Sequence, residues 1–582
     1  MPVHNADIAA AFDEIADRLE LQSANPFRIR AYRNAARILL ELRIDVAAKL
    51  AEGEELPKLP GIGADLSAKI REVAARGTCA LLEKLRREMP AGITELLKLP
   101  GLGPTRVRAL YDALKVGSLA DLQRVAREGR LRALPGFGEK SEAKVLAAVS
   151  AHLSKVQRFQ LAVAAQYAEP YAQYLRRTPG VEEVVIAGSY RRRKETVGDL
   201  DFLATASRAE PVIARFAGYA EVKEVIASGP TKASVRLASG IQADLRVVPP
   251  ESLGAALHYF TGAKAHNIAI RRLAQDAGLK VNEYGVFRGG KRIAGTSEES
   301  VYASVKLPWI PPELREDRGE IEAARRDELP RLVERADLRG DLHAHTKATD
   351  GRASVREMAL AAKARKLQYL AITDHSQRQA MVHGLDAARL AKQADEIDRL
   401  NGELQGITLL KGIEVDILDD GALDLPDSIL AKLDLVVAAV HSRFNLPRAR
   451  QTERVLRALE NPHVRLLAHP SGRLIGAREP YEVDMQAVIR KARAQGVALE
   501  LNAHPHRLDL TDVHCRMAKD EGALVSINSD AHAAEGFDAL EHGIGQARRG
   551  WLEKKDVLNC RPLSELRRLI GGGARRARGP RP

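Results

Sequence analysis

The chain has 582 residues, which at about 150 residues per domain predicts roughly four domains. Lys and Arg number 90 against 77 Asp and Glu, a net charge of +13, and the 45% hydrophobic content is enough to bury real cores and exclude bulk disorder. No run of roughly 18 apolar residues occurs, which excludes a membrane span, and the acidic, amphipathic start MPVHNADIAAAFDEIADRLE is not expected to be a signal peptide.

The charge is unevenly spread. Residues 1–335 carry 52 basic and 43 acidic side chains, a net of +9, and residues 336–570 carry 34 of each. The last twelve residues carry four Arg and no acid. Histidine runs the other way, with four of 16 before residue 336 and twelve after it. The three scattered cysteines, Cys79, Cys515 and Cys560, frame neither disulfides nor a zinc ribbon, which predicts a reducing cytoplasm.

Residues 1 to about 155 are predicted to be almost wholly helical, because apolar residues such as Ile8, Phe12, Ile15 and Leu19 recur at spacings of three and four. Within this region Leu-Pro-Gly-x-Gly occurs three times, at 59–63, 99–103 and 134–138, each before a helical run. The starts are 40 and 35 residues apart, which reads as duplication. A Gly-x-Gly turn ahead of a helix exposes consecutive backbone N–H groups that can hold a phosphate. A plain turn needing φ > 0 would explain one copy but is a poor account of three. The pattern resembles helix-hairpin-helix motifs, which grip the DNA backbone without reading bases. Gly61, Gly63, Gly101 and Gly103 are the candidate DNA-binding positions; the third copy fits the pattern least well.

Strand-like runs follow at 184–187, 200–204, 233–237 and 241–248. Asp199 and Asp201 are two apart beside a strand, so their side chains share a face. Like charges that close call for a cation between them, and Asp244 in a neighbouring strand supplies a third carboxylate. Three such carboxylates can hold two Mg²⁺ or Mn²⁺ ions, one activating a hydroxyl and both clamping phosphate oxygens. Upstream, Gly188 and Ser189 with Arg191 and Arg192 provide a tight turn, a hydroxyl and cations suited to a triphosphate.

The string GSYRRRKETVGDLD (188–201) resembles the nucleotidyltransferase signature of family X DNA polymerases, and residues 1 to about 318 resemble that family's polymerase body. The resemblance implies that Asp199, Asp201 and Asp244 bind metal, with Asp244 also placed to deprotonate the primer 3′-hydroxyl. It further implies that Gly188, Ser189 and Arg192 bind the triphosphate. Downstream, YFTGAKAHNIAIRR (259–272) resembles the family's nucleotide pocket. There Tyr259 and Phe260 match the aromatic pair against the incoming sugar, and Gly262 the turn beside it. Asn267 matches a minor-groove contact to the nascent base and Arg271 a template-side contact. Core packing is the commoner fate of aromatics, but the whole string favours the pocket. Some family members carry a deoxyribose-phosphate lyase at the front, in which a lysine forms a Schiff base. Lys69 occupies the matching place. Asp65 stands where a supporting lysine is often found, however, and Phe27, Arg28 and Asn34 replace other polar or basic positions. This favours Lys69 as a lysine close to DNA over a lyase nucleophile, with 5′-phosphate binding expected.

Residues 307–335, charged and proline-containing, read as a tether with some helix. After it, apolar runs at 369–373, 409–413, 435–440, 466–469, 498–502 and 524–528 alternate with helical stretches, the rhythm of a β/α barrel. His343 and His345 read as a His-x-His on a strand end, followed by Asp350, and His375, Glu414, His441, His469, Asp530 and His532 fall at or after these strand runs, where the carboxyl ends of barrel strands converge. Six imidazoles and three carboxylates can hold up to three metals, and the mixture suits Mn²⁺, Zn²⁺ or Fe²⁺ better than Mg²⁺ alone. His504 and His506 stay outside the set. The nine positions resemble the ligand set of the PHP (polymerase and histidinol phosphatase) family over roughly residues 336–570. The resemblance implies one metal on His343, His345, Glu414 and Asp530. Glu414 bridges to a second, held with His441 and His469, and a third sits with Asp350, His375 and His532. It also implies a Mn²⁺-dependent 3′→5′ exonuclease, with 3′-phosphatase or abasic endonuclease activity in some members.

The expected fold is multidomain α+β and α/β. A small helical, lyase-like DNA-binding domain spans 1–85 and helical fingers 86–155. A nucleotidyltransferase palm spans 156–255, a thumb 256–318 and a linker 319–335. A distorted β/α barrel of the PHP type spans 336–570, and a disordered basic tail 571–582. The expected function is bacterial DNA repair, by base excision or end joining, with gap filling joined to 3′-end processing. Its partners are gapped or nicked DNA and deoxynucleoside triphosphates, and the expected state is a cytoplasmic, nucleoid-associated monomer. An untemplated nucleotidyltransferase with a metabolite phosphatase is the alternative.

Overall fold

The computed structural model describes residues 3–571 apart from 43, 57, 58, 60, 100 and 155–157. Residues 572–582 of the expected basic tail, and the prolines of the first two glycine turns, lie outside the described residues.

The front is helical, and its helices are built as the spacing of apolar residues predicts. Helix Asn5–Leu21 packs on helix Pro26–Glu41. Ile8, Phe12, Ile15 and Leu19 meet Tyr32, Ala35 and Leu39 in one core. The second helix starts on the Asn25 side chain, which accepts from the Phe27 N–H at 2.8 Å, with Pro26 at its first position. A separate core gathers Ile93, Leu96, Val107, Leu110, Leu122 and Val149. The three glycine turns lead into helices Ala64–Arg76, Pro104–Leu114 and Glu139–Ser154. Gly61, Gly101 and Gly136 adopt φ of +78°, +82° and +81°, which a side chain would strain. Gly63 and Gly103 cap their helices without a side chain, so no capping side chain covers the first turn of either, although Pro104, first in its helix, has no N–H to offer.

Strand β1 (Phe159–Gln160) pairs with β3 (Thr196–Val197); between them in sequence lies β2 (Val181–Ile186). With β4 (Asp199–Ala206), β5 (Val222–Ser228), β6 (Lys232–Leu237) and β7 (Gln242–Val248), β2 forms a sheet in the order β2-β4-β7-β6-β5. Only β4 and β7 run parallel. Leu200, Phe202 and Ala204 of β4 and Ala243, Leu245 and Val247 of β7 enter one core beneath the sheet, against Tyr171 and Phe216. Period 2 then turns Asp199, Asp201 and Asp244 to the other face. A small antiparallel sheet of β8 (Lys280–Asn282), β9 (Gly285–Arg288) and β10 (Lys291–Ala294) follows.

The stretch expected to be a tether is packed. Ile310, Leu314, Ile321 and Leu332 are buried with Tyr302 of the preceding segment and Trp551 near the end of the chain. A 3-10 turn (Pro312–Leu314) and a short helix (Glu320–Arg325) lie within it. Its apolar residues are thinly spread among charges, so the sequence does not show the partner that orders them.

Beyond it, β11 (Gly340–Asp341), β12 (Tyr369–Ile372), β13 (Thr408–Asp416), β14 (Leu435–Ala439), β15 (Val464–Leu467), β16 (Ala498–Asn502) and β17 (Val525–Asn528) form a parallel sheet in sequential order. A parallel bridge between Ala344 and Ala531 joins the first strand to the last and curls the sheet into a barrel. Leu342, Tyr369, Leu410, Val437 and Leu466 fill one core together with Leu558 and Leu566 of the final segment. The strands and their covering helices enclose a larger one.

Candidate active sites

The parallel register of β4 and β7 places Asp201 directly opposite Asp244. One oxygen from each of Asp199, Asp201 and Asp244 lies within 4.8 Å of the others. Burial, with the charges of Asp199 and Asp244, pushes the Asp201 carboxyl up to about 7. Burial and Asp244 also raise that of Asp199. Two acids held back from ionising by burial and like charge, with a third beside them, form a donor set suited to a divalent cation. Asp244 is aimed by the Ser234 hydroxyl and by Gln242 Nε2 at 3.0 Å. Gly188 opens the short helix Gly188–Arg191 at φ +56°, and a Cβ there would run into the Asp201 carboxylate. The Ser189 hydroxyl is buried without a hydrogen-bond partner.

Arg192 donates from Nε to Glu316 at 3.0 Å and from Nη1 to the Thr261 carbonyl. That carbonyl belongs to the turn at Gly262 (φ +70°) between helices Leu253–Thr261 and Lys264–Asp276. The first helix ends with Tyr259 and Phe260, whose rings meet edge to face at 5.0 Å. The second carries Asn267, which donates to the Tyr259 carbonyl at 2.7 Å and leaves its Oδ1 buried and unpaired. It also carries Arg271, whose guanidinium stands 5.9 Å from the Tyr259 ring. Arg192 thus joins the Gly262 turn and its flanking pocket residues to the segment that Gly188 sets against Asp201. Lys69 lies apart from them, on helix Ala64–Arg76, paired with Asp65. Burial acts against its charge, but Asp65 outweighs it and raises the ammonium above its ordinary range. A Schiff base starts from a neutral amine, so this pairing works against lyase chemistry.

The second site lies at the carboxyl ends of the barrel strands. One ligand atom each from His345, Asp350, His375 and His532 lies within 4.8 Å of the others, as do those of His343, His345 and Asp530 and those of His375, Glu414 and His441. His469 Nε2 is 2.9 Å from Glu414 Oε1. All nine candidates therefore converge. His345 and His375 each belong to two of these groups, and His343 and His345 Nε2 stand 3.5 and 3.6 Å from Glu414 Oε2, so the groups run together as one cluster. His343 Nε2, both ring nitrogens of His345 and Glu414 Oε2 are buried with no hydrogen bond of good geometry, although His345 Nε2 stands 3.1 Å from Asp530 Oδ1. Polar atoms close in distance but misaimed for hydrogen bonding are what ligands directed at a shared cation would leave. Burial disfavours charge on His343 and His375, yet the facing carboxylates push both well above the ordinary imidazole range. His345 goes the other way, lowered by burial and by His532 and His375.

Two residues absent from the sequence-based set hold the ligands. Glu500, fully buried, takes His343 Nδ1 at 2.7 Å, and Asp416 takes His441 Nδ1 at 2.5 Å. Each leaves Nε2 turned inward, which selects the tautomer a metal needs. Asp416 lies two residues after Glu414 on the same strand, a spacing that could have flagged it. Glu500 sits inside an apolar strand with no motif around it.

Fold and sites together define a metal-dependent nucleotidyltransferase joined to a PHP-type phosphoesterase barrel. Residues 256–316 match the DNA polymerase beta thumb family, residues 3–79 a helix-hairpin-helix domain, residues 93–150 a SAM-like helix-hairpin-helix tandem, and residues 341–504 the PHP domain. The chain is 40% identical to the DNA polymerase/3'-5' exonuclease PolX of Bacillus subtilis over 98% of its own length and 99% of the relative's. A probable phosphatase from Thermoanaerobacter sp. is 28% identical over 40% of this chain and 97% of its own, and one from Syntrophotalea carbinolica 30% over 38% and 90%. The chain belongs to the family X DNA polymerases with a C-terminal PHP domain. The full-length match favours this over a nucleotidyltransferase with a metabolite phosphatase. Among the described residues no helix is long and apolar enough to cross a membrane.

Proposed function

We propose that this chain fills short gaps in DNA by template-directed nucleotidyl transfer and trims or cleans 3′ ends at its barrel site, within base excision repair or end joining. The convergence of Asp199, Asp201 and Asp244 from the parallel strands β4 and β7, apart from a nine-ligand barrel cluster, carries this reading. Asp199, Asp201 and Asp244 would hold Mg²⁺ or Mn²⁺, and the barrel residues up to three Mn²⁺, Zn²⁺ or Fe²⁺ ions, which when bound would supply charge neutralisation at phosphate and a more acidic attacking hydroxyl or water. Asp244, aimed by Ser234 and Gln242, is positioned as acceptor of the primer 3′-hydroxyl proton. Gly188, Ser189 and Arg192 bind the triphosphate. Tyr259, Phe260 and Gly262 shape the sugar pocket, Asn267 meets the nascent base, and Arg271 the template side. Gly61, Gly63, Gly101 and Gly103 present backbone N–H groups to DNA phosphates, with Lys69 close by. In the barrel, one metal is allotted to His343, His345, Glu414 and Asp530, a second to Glu414, His441 and His469, and a third to Asp350, His375 and His532.

The test uses a gapped, 5′-phosphorylated, labelled duplex with Mn²⁺ or Mg²⁺, with and without nucleotides. Asp244→Ala should lose incorporation by at least about 10³-fold and keep 3′ degradation, and His343→Ala should do the reverse. Loss of one shared activity in both variants would defeat the two-site reading.

A further inference from the structure

The barrel domain grips the palm at the turn that carries Arg192. Arg473 forks onto Glu195 at 2.7 and 3.2 Å. The backbone at Gly545 lies so close to Arg193 that a Cβ there would stand 3.2 Å from the Arg193 Cβ. Arg549, at the end of helix Leu540–Arg549, donates from Nη1 to the Arg192 carbonyl at 2.9 Å and to Glu316 Oε1 at 2.9 Å. The same Glu316 oxygen accepts from Arg192 Nε at 3.0 Å. Arg549 is itself anchored through Nη2 to Asp512 at 2.7 Å, and its side chain is only 3% exposed.

Two guanidinium groups therefore share one carboxylate oxygen. If Glu316 faced Arg192 alone, a full ion pair would hold that cation and compete with an incoming anion. With its charge divided, Glu316 orients Arg192 without neutralising it. The bond from Arg549 to the Arg192 carbonyl also holds the backbone of the turn.

We propose that Arg549 of the barrel domain is a positioning residue for nucleotidyl transfer: with Glu316 it sets the direction and free charge of Arg192 toward the nucleotide triphosphate. The inference rests on the reading of Arg192 as a triphosphate ligand. It makes the barrel a structural part of the polymerase site, independent of the barrel's own chemistry.

The experiment is single-nucleotide incorporation by the full-length protein on a gapped duplex, with KM for the nucleotide and kcat measured separately. Arg549→Ala is expected to raise KM about tenfold with a smaller change in kcat, and Arg549→Lys to recover part of it. Arg192→Ala should raise KM at least as much, and adding Arg549→Ala to it should raise KM no further. Arg548→Ala is the control: it sits on the same helix and meets Glu313 at 2.7 Å, without touching Arg192. Its KM should stay near that of the unaltered chain. Degradation of a single-stranded primer by Arg549→Ala should stay within about twofold of the unaltered chain, as expected of a residue outside the barrel cluster. An equal rise in KM for Arg548→Ala would assign the effect to general domain docking and overturn the inference. So would loss of both activities in Arg549→Ala, which would assign the residue to folding. An unchanged KM in Arg549→Ala with a raised KM in Arg192→Ala overturns the inference and leaves the Arg192 reading standing. An unchanged KM in Arg192→Ala removes that reading and the inference with it.

Discussion

At Asp201, burial and two neighbouring carboxylates act in one direction, and the group pays for its place in the site with stability. Its carboxyl is pushed up to about 7, against an unfolded value near 4. Without metal, the stability this group contributes is full below about pH 4 and is lost as pH rises through about 7. Asp201→Asn removes the titration. In EDTA its unfolding midpoint should exceed that of the unaltered chain by a margin that grows from about pH 4 to 7 and then levels off. The plateau should be of order 1–2 kcal/mol, a few degrees, once solvent screening of a half-buried group is allowed for. A margin independent of pH, by differential scanning fluorimetry, would contradict the account. Legibility at this scale followed charge chemistry. Asp199, Asp201 and Asp244 stand out because carboxylates on strands are costly without a cation. Glu500 does not, because what makes it matter is His343, 157 residues away in the chain.

Among the elements, β4 and β7 were readable because Leu200, Phe202, Ala243 and Leu245 alternate with polar residues at period 2. Six of the seven barrel strands were readable as short apolar runs, within a residue or two at most ends, while β11 is two residues long and forms no such run. Strand β5 was not: it lies at the sheet edge, mostly exposed, with Val225 and Ile226 both in solvent. Strands β8 to β10 are three or four residues each, too short for a period to show. Barrel closure also left no local trace, and Asn559 illustrates why. Its side chain donates to the carbonyls of Gly340 at 2.8 Å and Ile527 at 2.6 Å, and accepts from the Ile527 N–H at 3.0 Å. One fully buried amide thus pins the first strand to the last. Asn559→Ala should cost about 2–4 kcal/mol, seen as a fall of several degrees in the midpoint of thermal unfolding. A change below about 0.5 kcal/mol would show that the seam is held elsewhere.

For the molecule as a whole, the net +9 of residues 1–335 and the neutrality of residues 336–570 belong to two different ways of meeting phosphate. The front offers fixed cations and helix N-termini. The barrel offers carboxylates and imidazoles that attract phosphate only once metals are bound. In EDTA, affinity for a gapped duplex should therefore fall by about 10³-fold or more between 50 and 200 mM salt, as for six or more phosphate contacts. Fluorescence anisotropy would measure it, and a nearly flat salt dependence would rule out a backbone-gripping front. The seam between the halves is built from Arg473 with Glu195, Arg549 with Glu316, and Trp551 against the segment read from sequence as a tether. None of these pairs is close in sequence, so periodicity and motif spacing are blind to them.

From sequence alone, chemistry that is local was determined: the glycine turns, the acids two apart on a strand, and the histidines and carboxylates at strand ends. Each depends on residue type and on periods of two or about 3.6, which the backbone imposes wherever the chain goes. Tertiary structure alone decided which imidazoles share a carboxylate, which buried acids orient them, how the barrel closes, and that the stretch at 307–335 is packed. Those outcomes depend on contacts between residues far apart in the chain, where burial and geometry, not sequence neighbours, set the energy.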